Sequence, residues 1–206
     1  MATRKYEQRL RAEEAEQTRR RILDALRQRL RQAPAEPVSL DQIARMARVS
    51  RSTVYLVFGS RAGLFCALGA DIADHGGFGA VLDSAAHPDA VQSLRDGIRA
   101  IVAMYASERD LLRAIHSMAQ LDAEAVGGSV QKLDQGLAIG MASRARRLAE
   151  QGALRPDVTQ DQAADLLWLL TSFDAFDVLY TGRSLPIEQV AATLITAAER
   201  ALCRDA

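Results

Sequence analysis

Cysteine, histidine and aromatic side chains are scarce in this sequence of 206 residues, which has two Cys, three His and 5% aromatic residues. Cys66 and Cys203 lie too far apart in the chain to form a paired metal or redox motif. The three histidines have no metal-ligand spacing, and neither G-x-S-x-G nor H-E-x-x-H occurs. We therefore predict no metal site, no cofactor and no enzymatic activity.

Long apolar stretches are also lacking, and none approaches the roughly 18 residues that a membrane-spanning helix needs. The N-terminus has no apolar leader followed by a small-residue cleavage site. Hydrophobic residues make up 49% of the chain, enough for a substantial core in one large domain or in two. The absence of a leader and of a membrane span, together with two cysteines far apart in the chain, predicts a cytoplasmic protein.

The formal net charge is zero, but the two parts of the chain differ in sign. Residues 1–65 hold 14 Lys and Arg against 7 Asp and Glu, whereas residues 66–206 hold 12 against 19. A basic N-terminal part favours a polyanion partner such as nucleic acid, because neutralised phosphates release counterions. A solvated, arginine-rich helix face is the alternative interpretation.

Helix signals follow one another along the chain, and strand signals are nearly absent. From Thr18, TRRRILDALRQRL pairs an apolar stripe with arginines and ends at Pro34, which cannot continue a helix. The predicted fold is all-α with about nine helices. The second predicted helix spans about 39–47, and the third begins after Ser50 and ends before Ser60. The other predicted helices span about 61–84, 88–106, 108–121, 127–152, 159–181 and 186–204.

Two helix starts lie close together after Pro37. Ser39 and Gln42 fit a capping box, in which each side chain bonds the backbone amide of the other. Ser50 fits a second N-cap three residues after the first short helix ends. Two short helices joined by so short a turn predict a helix-turn-helix. In DNA-binding proteins, the second helix of that unit lies in the major groove.

A helical wheel separates the second short helix into two faces. Val54, Val57 and Phe58 share the face that can pack on the preceding helix. Hydroxyls, a tyrosine and a leucine lie opposite or on the flanks, where base edges and phosphates suit them better than a core does. An ordinary capped surface helix is the alternative. The predicted DNA-binding residues are Ser39, Arg51, Ser52, Thr53, Tyr55, Leu56 and Arg61.

Residues 38–65, VSLDQIARMARVSRSTVYLVFGSRAGLF, resemble the DNA-binding region of the TetR (tetracycline-repressor-like) family of bacterial transcriptional regulators. The resemblance extends over residues 18–68. Arg48 stands where the family usually has glycine, so the turn must accept a side chain at a position that can require a positive φ. The residues that match are Ile43, Ala44, Ala47, Val49, Ser50, Thr53, Tyr55, Phe58, Ser60, Arg61 and Leu64.

The resemblance implies a three-helix DNA-binding domain followed by a helical domain that dimerises and binds a small effector. We accordingly expect a flexible arm of mixed charge at 1–17, the helix-turn-helix domain at 18–68, and the effector-binding and dimerisation domain at 69–206. Three glycines at 76, 77 and 79 predict a bend inside the helix at 61–84. A bend there would carry motion between the two domains.

Two further sites follow from the resemblance. Similar proteins bind effectors between their middle helices, where the candidates are Met104, His116, Met118, Trp168 and Phe173. Packing in an ordinary core is the alternative for each of these side chains. Similar proteins dimerise through their last two helices, where the candidates are Leu169, Phe176, Ile187, Leu194 and Ile195.

These features together predict a homodimeric transcriptional regulator that binds a double-stranded DNA operator. A repressor released by a small-molecule effector is the expected form, with the identity of the effector unknown. The alternative is a helical ligand-binding or adaptor protein that has lost specific DNA binding.

Overall fold

The computed structural model of the chain describes residues 2–34, 36–75 and 77–204. Within these ranges the fold is all-α, as predicted, and its one β-bridge joins Leu154 to Cys203. A π-helical turn at Ala123–Gly127 precedes α8. The α-helices are α1 (Ala2–Gln32), α2 (Leu40–Met46), α3 (Arg51–Phe58), α4 (Arg61–His75), α5 (Phe78–Ser84), α6 (Ala90–Ser107), α7 (Arg109–Leu121), α8 (Gly128–Glu150), α9 (Gln160–Leu170), α10 (Phe173–Tyr180) and α11 (Ile187–Leu202).

The chain forms two compact units. The first unit comprises Met1–Ala70 together with Arg113–Val130, and the second comprises Asp71–Leu112 together with Gln131–Ala206. Most of α7 and the π-helical turn therefore belong to the first unit, whereas the predicted C-terminal domain at 69–206 includes them.

The described residues contain more helices than the nine predicted because two of the predicted helices are each broken. One break follows His75, and Gly77 beyond it has φ 94, a left-handed conformation that glycine adopts without strain. The predicted bend is thus an interruption between α4 and α5. The other break is at Ser172, whose side chain accepts a hydrogen bond from the amide of Ala175 at 3.2 Å and caps α10.

The described part of residues 1–17 is helical, since α1 begins at Ala2, and the flexibility of this arm stays a prediction. Ion pairs one helical turn apart support this segment: Arg9 to Glu13 at 2.9 Å and Arg20 to Glu16 at 3.2 Å. The side chains of residues 8–17 are exposed, so local pairs and helix propensity stabilise this part of α1 rather than burial.

In the first unit, α1 packs on α2 and α2 packs on α3. The apolar stripe predicted for α1 supplies much of the core, because positions three and four apart share one face. The largest buried side chains of this unit include Ile22, Leu26, Leu30, Ile43, Leu64, Phe65 and Leu68.

The predicted capping box at Ser39 is wrong. Within the described range 36–75, the Ser39 side chain makes no capping hydrogen bond to α2. Gln42 is engaged elsewhere: its Oε1 accepts a hydrogen bond from Nε of the buried Arg29, at 2.9 Å. The same pattern at Thr159 and Gln162 does form a capping box, at the start of α9.

In the second unit, α6 packs against α5, α10 and α11, and α9 packs against α10 and α11. The buried side chains of this unit include Leu94, Ile98, Ile101, Val102, Tyr105, Phe173, Phe176, Val190, Leu194 and Leu202. Among all the described residues, no single helix is long and apolar enough to cross a membrane. The pair Arg51–Phe58 and Arg61–Asp74 meets that criterion only jointly, across a 63° bend.

Candidate nucleic-acid interface

The turn between α2 and α3 depends on Arg48. This residue has φ 55, so a non-glycine side chain occupies the left-handed conformation for which the family usually has glycine. The amide of Val49 then donates to the carbonyl of Ala44 at 2.9 Å and closes the end of α2. This bond fixes the direction in which α3 leaves the turn, and the side chain of Arg48 remains exposed.

Ser50 caps α3, as predicted. Its Oγ accepts a hydrogen bond from the amide of Thr53 at 3.0 Å, and it lies 2.7 Å from the hydroxyl oxygens of both Ser52 and Thr53. The N-terminus of α3 therefore presents a cluster of three bonded hydroxyls. Their mutual hydrogen bonds hold the side chains in place before any ligand arrives.

The two faces of α3 lie where the helical wheel placed them. Val54 is buried, while Val57 and Phe58 are half-buried. Ser52 and Tyr55 are exposed, and Leu56 has 87% of its surface in solvent. A leucine so exposed contributes nothing to the packing of this helix, which makes it available to a partner.

Arg51 and Tyr55 form a pair on the exposed side of α3. The guanidinium carbon of Arg51 lies 5.6 Å from the centre of the Tyr55 ring, and Nη1 lies 3.2 Å from Oδ2 of Asp41. The hydrogen bond to Tyr55 and the charge of Asp41 hold the pKa of Arg51 above its usual value. Since both members of the ion pair are exposed, Asp41 holds Arg51 only weakly, and a phosphate can displace it.

Two exposed arginines also belong to this surface. Neither is among the predicted DNA-binding residues. Arg45 lies in the last turn of α2, and Arg48 lies in the turn itself. Arg48 was noted only as a departure from the family pattern. Ser39 is exposed as well, at the start of α2. An exposed arginine beside a helix-turn-helix is the signal that could have identified both residues.

Arg61 differs from the other predicted DNA-binding residues because it is only 29% exposed and forms an ion pair with Asp122. Asp122 precedes the π-helical turn and belongs to the first unit. No sequence signal links two residues so far apart in the chain, and Asp122 is not among the predicted site residues.

The predicted effector residues are divided between the two units. Met104 and Phe173 are buried in the second unit, while Trp168 of that unit is 45% exposed. His116 and Met118 belong to the first unit. The second unit has a small cavity that leaves no room for even one water molecule, so it is not an open ligand pocket. The cavity is lined by Ile98, Ile101, Val102, Tyr105, Thr171, Ser172, Phe176 and Leu194.

The predicted dimerisation residues divide by exposure. Leu169 on α9 and Ile187 on α11 are exposed, whereas Phe176, Leu194 and Ile195 are buried within the single chain. These three side chains contribute to the core of the single chain, and Leu169 and Ile187 are the predicted residues that a partner can reach. Among the described residues, four large exposed apolar side chains of the second unit are not in the predicted dimer set: Leu82, Ile139, Trp168 and Val178.

Residues 22–68 match the family of bacterial regulatory proteins known as the tetR family. This range covers the helix-turn-helix and parts of the neighbouring helices α1 and α4, and it confirms the resemblance noted for residues 18–68. No curated protein sequence matches the chain.

Solved structures show the same fold over nearly the whole chain. NalD, the secondary repressor of the MexAB-OprM multidrug efflux pump in Pseudomonas aeruginosa, has 23% identity and a TM-score of 0.72, with 94% of this chain and 100% of that chain covered. SmeT, the repressor of the Stenotrophomonas maltophilia efflux pump SmeDEF, is solved with triclosan and has 16% identity, a TM-score of 0.69 and coverages of 91% and 92%. AibR, solved with isovaleryl coenzyme A and operator DNA, has 17% identity, a TM-score of 0.64 and coverages of 87% and 97%.

Residues 22–68 of this chain therefore match the tetR family of bacterial regulatory proteins, and the chain has the same fold as the solved structures of NalD and SmeT.

Proposed function

We propose that this protein is a homodimeric transcriptional regulator that binds a DNA operator through α3. The observation that carries the proposal is the outer surface of α3, where Ser52, Tyr55 and Leu56 are exposed although Val54 of the same helix is buried. Hydroxyls can donate to or accept from most base edges, and an apolar side chain can contact the methyl group of thymine. As the second helix of a helix-turn-helix, α3 can place this surface in the major groove.

The basic residues around α3 suit the DNA backbone. Arg45, Arg48 and Arg51 are exposed at the end of α2, in the turn and at the first residue of α3. Arginines and helix N-termini are common phosphate contacts, and such contacts fix the register of a protein on the duplex. We assign Ser52 and Thr53 to base contacts, and Ser39, Tyr55 and the arginines to the backbone.

Exposed apolar side chains of the second unit support a homodimer. Trp168, Leu169, Val178 and Ile187 are exposed on α9, α10 and α11. Large apolar side chains gain free energy when a partner removes them from water. A two-fold dimer can do so and also presents two copies of α3 to successive major grooves. Because a protein that regulates transcription must reach DNA inside the cell, we expect it in the cytoplasm.

Repression and a response to an effector are proposed from the solved relatives. NalD and SmeT are described as repressors of efflux pumps, and SmeT and AibR are solved with small molecules. For this chain, we propose a repressor rather than an enzyme, released when an effector binds the C-terminal helices. Met104, Trp168 and Phe173 remain the proposed effector residues of the second unit, and His116 and Met118 stay predictions within the first unit. An effector acts only through its different affinities for the DNA-bound and released states.

DNA selected from a random pool by the full chain tests the proposal. We expect the selected duplex to bind about a thousandfold or more tightly than unselected DNA, with an affinity that falls as salt rises. Ser52→Ala and Thr53→Ala should each cost about 1–3 kcal/mol at particular base pairs. Thr193→Ala, which removes an exposed hydroxyl from α11, is the matched control.

The alternative, a helical adaptor or ligand-binding protein, predicts a different result. Such a protein would bind selected and unselected DNA equally at every salt concentration. That outcome would overturn the proposed function.

A further inference from the structure

Arg61 lies immediately beyond the proposed recognition helix. Gly59 and Ser60 separate it from Phe58, the last residue of α3. The hydroxyl oxygen of Ser60 accepts a hydrogen bond from the amide of Gly63 at 2.9 Å and caps α4, of which Arg61 is the first residue. A phosphate contact from Arg61 would therefore come from a helix N-terminus next to α3.

The guanidinium of Arg61 is only partly satisfied in the structure. Its Nη1 forms an ion pair with Oδ2 of Asp122, and its Cζ lies 6.0 Å from the centre of the buried Phe65 ring. The Nε and Nη2 atoms are buried and have no hydrogen-bond partner within the part of the chain that the structure describes. A guanidinium has five N–H donors, so a group with several acceptor oxygens can satisfy it better than this single carboxylate contact does.

Asp122 is held in position independently of Arg61. Its Oδ1 accepts a hydrogen bond from the amide of Ala125 at 3.2 Å, which caps the π-helical turn Ala123–Gly127. Its own amide donates to the carbonyl of Met118 at 2.8 Å. The second carboxylate oxygen is thus presented to Arg61 by a turn of a rare type that is frequent at functional sites.

We propose that Asp122 is an internal competitor for Arg61. In the DNA-free protein its carboxylate holds the guanidinium that a DNA phosphate takes in the complex, and this competition lowers operator affinity. The two acceptors compete because the carboxylate of Asp122 offsets the positive charge of Arg61 that attracts a phosphate, and because the ion pair holds the guanidinium in a partly buried position. The inference rests on the proposed function, since it needs a DNA complex to which Arg61 contributes.

The test measures binding of the full chain and its variants to the selected duplex at one salt concentration. Asp122→Asn removes the charge but keeps an oxygen that can cap the π-helical turn. Glu124→Gln is the matched control, because Glu124 is exposed, two residues away, and loses the same charge. We expect Asp122→Asn to bind about three- to tenfold more tightly than Glu124→Gln.

A double variant shows whether the effect passes through Arg61. In the Arg61→Gln background, Asp122→Asn should give no more gain than Glu124→Gln does. Unfolding curves establish that each variant folds, and Asp122→Ser, which also keeps a capping oxygen, replaces Asp122→Asn if that variant does not.

Three results would overturn the inference or its basis. If Asp122→Asn binds no better than Glu124→Gln, or if its gain persists without Arg61, Asp122 is not the competitor. If the wild-type protein shows no preference for any duplex, the proposed function is wrong and this inference falls with it.

Discussion

Arg29 on α1 donates a hydrogen bond from its Nε to Oε1 of Gln42 on α2, at 2.9 Å. The same buried guanidinium donates to the carbonyl oxygens of Ala33 at 2.8 Å and Pro37 at 3.4 Å, and to the carboxylate of Glu36 at 2.9 Å. One side chain therefore ties the connection between α1 and α2 to both helices, and this connection precedes the proposed DNA-binding surface.

Arg29→Ala should destabilise the protein by about 2–4 kcal/mol, because it removes a buried guanidinium that donates hydrogen bonds to four acceptors. Urea unfolding measures the change. Arg20→Ala is the control, since Arg20 is exposed and its ion pair with Glu16 contributes less than about 1 kcal/mol. Equal losses in the two variants would show that Arg29 does not organise the connection.

Gln42 also shows where local sequence patterns mislead. The spacing of Ser39 and Gln42 predicts a capping box, and the same spacing at Thr159 and Gln162 predicts one correctly. At the first site, a buried arginine thirteen residues earlier takes the glutamine. A capping motif uses neighbours in the sequence, whereas its competitor comes from tertiary packing that a short pattern does not contain.

Parts of the candidate site follow from the sequence, and parts do not. The faces of α3 follow from helical periodicity, which needs no knowledge of distant residues. The partnership of Arg61 with Asp122 brings together residues far apart in the chain, and no spacing rule predicts it. Similarly, the stripe containing Leu194 is apolar whether its own chain or a partner covers it, so the sequence could not separate core from interface.

Ser50 and Ser39 allow a direct comparison of two N-cap serines. Ser50 accepts a hydrogen bond from the amide of Thr53, whereas the hydroxyl of Ser39 makes no such bond within the described residues around α2. Ser50→Ala should therefore cost about 1 kcal/mol of the free energy of unfolding. Ser39→Ala should change it by less than about 0.5 kcal/mol. Thermal or urea unfolding distinguishes them, and a larger loss at Ser39 would contradict the observed caps.

Gly97 on α6 is expected to be essential for packing. A methyl group there would lie 2.6 Å from Nε and 2.8 Å from Nη2 of the buried Arg144. That Nη2 donates to the carbonyl of Val81 at 2.8 Å and to the hydroxyl of Ser84 at 2.6 Å. Gly97→Ala should displace the guanidinium and destabilise the protein by about 1–3 kcal/mol, despite the better helix propensity of alanine.

Gly136 on α8 is the matched control for this substitution. It is exposed, and an added methyl group meets no atom within 4 Å. Gly136→Ala should stabilise the protein by up to about 1 kcal/mol through helix propensity. If both substitutions stabilise the protein, Arg144 can move without loss and the packing argument is wrong.

Because the hydroxyl of Tyr105 is buried, we expect the protein to lose stability at alkaline pH. Its buried hydroxyl donates to the carbonyl of Thr171 at 3.0 Å, and burial, followed by the charges of Asp134 and Asp174, raises its pKa far above the usual range. The unfolded chain ionises this phenol near pH 10, while the folded protein keeps it neutral. The stabilisation is thus complete below about pH 10 and declines as the pH rises further.

The slope of the free energy of unfolding against pH measures this effect. Above about pH 10, Tyr105 should lower the free energy of unfolding by up to about 1.4 kcal/mol per pH unit. Tyr105→Phe lacks the ionising group, so its stability should fall less steeply over the same range in urea unfolding experiments. Identical slopes for both proteins would show that the phenol ionises as readily in the folded state.

Leu169 and Leu194 separate the proposed dimer interface from the core of the second unit. Leu169 on α9 is 58% exposed, whereas Leu194 on α11 is 5% exposed and lines the small internal cavity. A glutamate at position 194 would be a buried, unpaired carboxylate. Leu194→Glu should therefore cost about 3 kcal/mol or more of stability, and it would report on folding rather than on assembly.

Leu169→Glu is the substitution that tests assembly. We expect this variant to unfold within about 0.5 kcal/mol of the wild-type monomer, because the side chain is exposed, and to sediment as a monomer. Gln160→Glu, an exposed change of the same charge at the start of α9, should remain a dimer. If Leu169→Glu stays dimeric at concentrations where the wild-type protein is dimeric, the interface lies away from this part of α9. A wild-type protein that sediments as a monomer would exclude the homodimer itself, and the two copies of α3 would then have to meet DNA independently.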